Sequence, residues 1–313
     1  MSRLAAISVD LDSLTHYCGI HGLPVDLLDE RARGLVASTA IPRFLELFDV
    51  VGAPATFFVV GGELGAPALV SALKRAHGAG VELASHSFSH DYRLSRASPA
   101  AIADDLARAE QVMVEHLGVR PVGFRAPGYT LSPALLQAVE ARGYRYDSST
   151  YPAAPYYAAK ALVMGALSVA GRPSAALLDS PSVLGAPRIP YRPDLAAPYR
   201  RGSAKLIELP MAVTPVARVP FIGTFATSLP WLLVEQTFRR FRGDELFNFE
   251  LHAIDVLDAS DGVPAQLVAR QRDLRVPVRE KLQRLRRLFA WLGDDRERLT
   301  VAGVAERLAP TLR

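Results

Sequence analysis

Cysteine is almost absent: Cys18 is the only one in 313 residues, so neither an internal disulfide nor a cysteine-based zinc cluster can form. Long apolar runs are missing too. Leu4 to Val9 is cut short by Asp10 and Asp12, below the about 7–15 residues a signal peptide needs. Ala161 to Ala170, after Lys160, is roughly half the ~18 apolar residues of a membrane span. Charge of one sign is not concentrated. The 36 basic and 32 acidic residues give +4, with the basic ones spread out, so nothing calls for a nucleic-acid partner. No internal repeat occurs. The expectation is a soluble, cytoplasmic protein of a reducing compartment, without a transmembrane segment. With 50% of residues hydrophobic, the chain can bury a sizeable core.

What is present is an alternation of strand and helix. Leu4–Val9 reads as a buried strand, 41–51 as a helix closed by Gly52, and Ala55–Val60 as a second strand. Helices follow over 66–79, from Ser98-Pro99 to about Leu117, and from Ser132-Pro133 to Gly143. Strands are expected at 81–84, 122–124 and 144–146. Residues 150–204, rich in Pro, Ala, Tyr and Gly, have no period and read as an irregular insertion. The alternation resumes with strands at 206–211 and 247–251 and helices at 231–241 and 278–292, and Val301 opens a last short element. This is an α/β chain with a mostly parallel sheet. The Gly-rich phosphate fingerprint of a dinucleotide-binding sheet is missing after the first strand, where Asp10-Leu-Asp12 stands instead. That favours a barrel over an open doubly wound sheet.

Barrel enzymes carry their chemistry at the C-terminal ends of strands. Five such ends here hold ionisable or metal-binding types: Asp10 and Asp12; His86 and His90; Arg125; Asp147; and His252 with Asp255. A helical turn over 86–90 would bring both imidazoles to one face. A lone pair at that spacing is usually a surface feature, but Asp12 completes a site of two histidines and one carboxylate with open positions. Asp10, beside Asp12, fits a base that takes a proton from water near the ion, with Arg125 holding it ionised. His252 fits a general acid.

Asp-x-Asp after the first strand, His86-Ser-Phe-Ser-His90, Arg125-Ala-Pro127 and the late Leu251-His252 resemble the motif series of the polysaccharide deacetylase (NodB-homology) family, carbohydrate esterase family 4. The resemblance spans Val9 to His252. It implies a distorted (β/α)7 TIM-like barrel over 1–313, with one divalent metal on Asp12, His86 and His90. Zinc is the first choice, with cobalt, manganese and nickel as alternatives. It also implies Asp10 as base, Arg125 as its partner, His252 as acid, and main-chain N–H groups near Gly128 and Tyr129 at the oxyanion. The reaction implied is deacetylation or deformylation of an N-acylated sugar or glycan. The chain departs from the commonest pattern twice. Its first motif is Asp-Leu-Asp rather than adjacent aspartates. That spacing resembles the branch with intracellular peptidoglycan-type deacetylases, allantoinase-like amidohydrolases and the lipid-linked aminoarabinose deformylase. The fourth motif, Asp-x-x-Asp-Trp, is not found. Asp147, its nearest counterpart, and Asp255 are carried as orienting candidates.

His16, Tyr17 and His21 fall in the loop after Asp12, above the expected site, where they read as substrate contacts or, at least as readily, as flexible-loop residues. Asp255, Asp258 and Asp261-Gly262 read as a turn rather than a calcium loop. The basic helix from Val278 reads as an outer helix with a solvated face. The apolar segment 220–241, followed by Arg239, Arg240 and Arg242, reads first as core packing or a homo-oligomer interface. Peripheral contact with an anionic membrane that presents a lipid-linked substrate is the alternative. The rival functions are an allantoinase-like amidohydrolase, a non-haem iron oxygenase using the same ligand trio, and a catalytically silent carbohydrate-binding barrel.

Overall fold

A computed structural model describes residues 3–169, 171 and 176–312. Met1, Ser2, Ala170, 172–175 and Arg313 lie outside the described residues, so part of the N-terminal signal reading and part of the 150–204 insertion are not covered. The strands are β1 Leu4–Asp10, β2 Thr56–Val59, β3 Glu82–Ser85, β4 Gly123–Phe124, β5 Tyr146–Asp147, β6 Pro193–Asp194, β7 Ala197–Arg201, β8 Ile207–Glu208, β9 Leu246–His252 and β10 Glu297–Leu299.

One parallel sheet runs β9–β1–β2–β3–β4–β5–β8. β10 wedges in beside the start of β1, pairing Leu4–Ala6 with Glu297–Leu299. Every residue of β1 is buried, which is why it reads as a continuous apolar run rather than an alternating one. The sheet curls. At its seam the Ala212 N–H donates to Asn248 O at 2.9 Å, and Asn248 Nδ2 donates to Leu209 O at 2.8 Å and Ser148 Oγ at 3.0 Å. The core packs Phe44, Phe48, Phe57, Phe247, Phe249 and Phe289 between the sheet and its helices.

Helix starts and stops follow the sequence signals. Ser98 and Ser132 accept from Ala101 N and Leu135 N at 3.3 and 3.2 Å, with Pro99 and Pro133 in the first turns. Gly52 ends helix Ile41–Val51 at φ +58°. Gly123 is required for another reason: a Cβ there would lie 1.8 Å from the Tyr146 ring.

Four expectations are corrected. The 150–204 layer is not wholly irregular, since it holds helix Ala154–Val169 and the antiparallel β6–β7 hairpin. That helix lacks a polar–apolar stripe because Leu162, Val163 and Val169 are exposed rather than packed, so it showed no period. The strand expected at 144–146 is β5, Tyr146–Asp147, and that expected at 206–211 is only Ile207–Glu208. Such short strands leave too few residues for a pattern. Lys281 is not on a solvated face: it is buried, and its ammonium donates to Ile254 O and Leu257 O at 3.2 and 2.8 Å, bracing the turn after β9.

In 220–241, Phe221 and Phe241 are buried, and Trp231 and Phe238 pack on Trp291 with ring centroids at 5.2 and 5.4 Å. Only Leu232 and Leu233 stand out as exposed large apolar side chains there. Among the described residues no helix is long and apolar enough to cross a membrane.

Candidate active site

The C-terminal ends of β1, β3, β4 and β9 bring Asp10, Asp12, His86, His90, Arg125 and His252 together. β1 runs in register with β9 from Leu4↔Leu246 to Asp10↔His252, so the base and acid candidates end adjacent strands side by side. Arg125 is fully buried, with its guanidinium 4.0 Å over the Phe58 ring. It donates from Nη1 to Asp10 Oδ1 at 2.6 Å, from Nε to Ser148 O at 2.8 Å, and from Nη2 to Ser8 Oγ and Ser148 Oγ, each at 3.0 Å. One Asp10 oxygen is thereby fixed. The other, Oδ2, is buried without a hydrogen-bond partner and faces His86 Nε2 at 3.8 Å.

Asp12 Oδ1 lies 3.5 Å from His86 Nε2 and 3.0 Å from His90 Nε2. His86 Nδ1 is 2.7 Å from Arg125 O. A carbonyl only accepts, so Nδ1 carries the proton and Nε2 is left to face the carboxylates. Both nitrogens of His90 and Oδ1 of Asp12 are buried and lack a hydrogen-bond partner. Burial opposes charge on His86, but Asp10 and then Asp12 outweigh it and raise its pKa above the ordinary value. Burial likewise opposes the Asp12 carboxylate, yet His90 and His86 hold it well below the usual range. The pocket favours positive charge at one place.

The route by which the two histidines meet differs from the expected helical turn. Residues 86–90 form a loop in which Ser87 and His90 adopt left-handed φ values of +65° and +51°. Such backbone persists only where its surroundings enforce it. Here Asp105, on helix Pro99–Leu117, accepts from Phe88 N and Ser89 N at 2.9 and 3.0 Å, and Ser87 Oγ accepts from His90 N at 3.0 Å.

Two further residues belong to the site. Glu250 lies two positions before His252 on β9, and its Oε1 is 2.8 Å from His252 Nδ1. Burial opposes protonation of His252, but Glu250 above all raises its pKa well above the ordinary value. His16, on helix Leu14–Ile20, packs on His90 with ring centroids 3.9 Å apart. Burial and then His90 push its pKa down to about 3, so it is neutral. Sequence spacing offered a signal for Glu250, as Glu-x-His at the strand period of two.

The remaining candidates fall as follows. Tyr129 does not offer its main-chain N–H, which donates to Ala126 O at 3.0 Å; its hydroxyl instead lies 3.0 Å from His252 Nε2. Gly128 sits at φ +64°, where a Cβ would strike the Tyr92 ring at 2.2 Å. Asp147 points away from His252: it accepts from Ser149 Oγ at 2.6 Å and packs beside Glu208. Asp255 reaches His252 through the backbone, accepting from its N–H at 2.8 Å, and burial pushes its own pKa up to about 7. Asp258 caps the following turn and Asp261 pairs with Arg43 at 2.7 Å. His21 lies 2.7 Å from Gln271 Oε1, and Tyr17 packs edge-on against the His252 ring at 6.3 Å.

A curled parallel sheet with ionisable groups gathered at its C-terminal rim is the arrangement of TIM-like α/β barrel proteins. Within that class, residues 29–146 match the family model of polysaccharide deacetylase. That stretch includes His86, His90 and Arg125, whereas Asp10, Asp12 and His252 lie outside it. The peptidoglycan deacetylase of Helicobacter pylori is 29% identical over 157 residues, covering 49% of this chain and 52% of that protein. The chain spans about half the length of the curated relatives it matches, 52% and 42% for two of them. A solved structure provisionally assigned as a polysaccharide deacetylase from Mycobacterium smegmatis superposes with a TM-score of 0.64 at 19% identity, covering 100% of this chain and 92% of that one. The solved Puue allantoinase gives 0.58 at 16% identity, covering 99% and 91%. Both likenesses bear on the fold, which is the curled parallel sheet described above.

Proposed function

We propose that this protein is a metal-dependent hydrolase of non-peptide amides that deacetylates, or deformylates, an N-acylated sugar or glycan. The observation that carries the reading is the meeting of Asp12 Oδ1 with His86 Nε2 and His90 Nε2 at 3.5 and 3.0 Å, where Asp12 Oδ1 and His90 Nε2 are buried without a hydrogen-bond partner. Those three residues fit a divalent cation. Bound there, such an ion would polarise the amide carbonyl and lower the pKa of a nearby water toward ~7.

The chain's own groups account for the rest. Asp10 Oδ2, the oxygen that Arg125 leaves unpartnered, takes the proton of the attacking water. The water oxygen forms the new C–O bond and the C–N bond breaks. His252, kept protonated by Glu250, gives its Nε2 proton to the departing nitrogen, so a short carboxylic acid and a free amine leave. Tyr129, whose hydroxyl meets Nε2, holds that nitrogen in place until the substrate nitrogen replaces it. Tyr129, Tyr151 and Tyr156 form a chain of ring contacts beside His252, and Tyr92 packs edge-on against His90; these rings suit the apolar face of a sugar ring.

The test is to strip the protein of metal, reload it separately with zinc, cobalt, manganese or nickel, and assay acetate and formate release with and without molecular oxygen. The panel holds soluble and lipid-linked N-acyl sugars together with allantoin. Lipid-linked forms are included because Leu162, Val163, Val169, Leu232 and Leu233 are exposed. Metal-dependent acyl release from a sugar supports the reading. Release without metal, or reaction only with molecular oxygen, overturns it.

A further inference from the structure

We infer that His16 is a fourth protein ligand of the divalent cation, beside Asp12, His86 and His90. This rests on the metal reading above and extends it to a residue of the loop that follows β1. Helix Leu14–Ile20 starts two residues after Asp12, across the extended Ser13, and carries His16 in its first turn. Ligand atoms of Asp12, His16 and His90 all lie within 4.8 Å of one another.

The surroundings of His16 decide which nitrogen is available. Nδ1 is engaged by neighbours, 3.5 Å from Ser13 Oγ and 3.6 Å from Glu63 Oε1. Nε2 is therefore left as the metal-binding nitrogen, in line with the Nε2 atoms of His86 and His90. On the near side the His16 ring lies against His90 with centroids 3.9 Å apart and planes inclined at 40°. Stacking alone would explain that contact. It would not explain why Asp12 Oδ1 and both His90 nitrogens next to it are buried with nothing to bond. A third imidazole also has a chemical consequence: it tilts the site toward zinc, cobalt or nickel and away from the harder manganese and magnesium ions.

The experiment is X-ray absorption at the metal edge on the full chain loaded with zinc or cobalt, counting imidazoles from their multiple scattering. His16→Phe, which keeps a ring against His90, is measured beside the unaltered protein, and both are titrated with zinc against a chromophoric chelator. The expected result is three imidazoles in the unaltered protein and two in His16→Phe, with zinc affinity lower by about 10-fold or more, the loss typical of removing even a neighbour of a ligand. Two imidazoles in the unaltered protein overturn the inference while leaving the metal reading intact, a result that does not depend on the variant folding. No stoichiometric metal at all overturns both.

Discussion

At the scale of the residue, the account assigns three carboxylates three tasks through their different partners. Asp10 is tied to Arg125, Asp12 to the two imidazoles, and Glu250 to His252. Asp10→Asn keeps the shape and loses the base, so turnover should fall about 10²–10⁴-fold while metal content by mass spectrometry stays the same. His90→Ala should instead lower the metal content itself. Glu250→Gln addresses the acid. Because Glu250 is the leading cause that raises the His252 pKa, His252 stays protonated beyond the ordinary histidine range and activity should persist there before falling as pH rises. In Glu250→Gln that alkaline limb of kcat/KM should move to lower pH, and an unmoved limb would remove Glu250 from the account. The trio of Asp12, His86 and His90, with Asp10, Arg125 and His252, was legible because unlike chemical types recur at strand ends. Glu250 was not singled out, and His16 was read as a loop residue near the substrate rather than as a ligand. On a buried strand a carboxylate two residues from a histidine draws no notice until its partner is seen, and a histidine in a loop has no obligatory role.

At the scale of the element, the loop of 86–90 does what the sequence assigned to a helical turn. The spacing of four was legible. The backbone was not, because the left-handed residues are Ser87 and His90, types that carry no turn signal, and because what enforces them is Asp105 on a helix further along the chain. Asp105→Ala leaves the amides of Phe88 and Ser89 without their acceptor, at about 1–3 kcal/mol for a buried unsatisfied group. The expected outcome is a loss of that order in urea unfolding, together with weaker zinc binding in chelator competition. Stability and affinity both unchanged would mean that the loop holds itself. The long strands and capped helices were readable from burial and capping chemistry. The two-residue strands β4, β5 and β8 depend on their neighbours for pairing, which no local pattern records.

For the whole molecule, a second acidic pair lies away from the metal-binding residues. Asp147 and Glu208 face each other across β5 and β8, fully buried, and burial together with the neighbouring carboxyl raises Glu208 well above the ordinary range. A carboxyl whose pKa is raised on folding binds more protons in the folded than in the unfolded chain. Its contribution is therefore present at acid pH and is lost as pH climbs above the usual carboxylate range. Glu208→Gln retains the oxygen that accepts from Thr150 N at 2.9 Å and removes the titration. Its stability relative to the unaltered protein should rise from pH 4 toward pH 8 in urea melts, and a constant difference would contradict the shared-proton picture. The curled sheet that carries this pair also brings β1, β3 and β9 to one rim, and the chemistry depends on that convergence. The most direct measurement is anomalous diffraction from crystals grown with zinc. A single strong peak within bonding distance of Asp12, His86 and His90 is the expected result; an empty map at those side chains, or a peak held by other residues, would contradict the account.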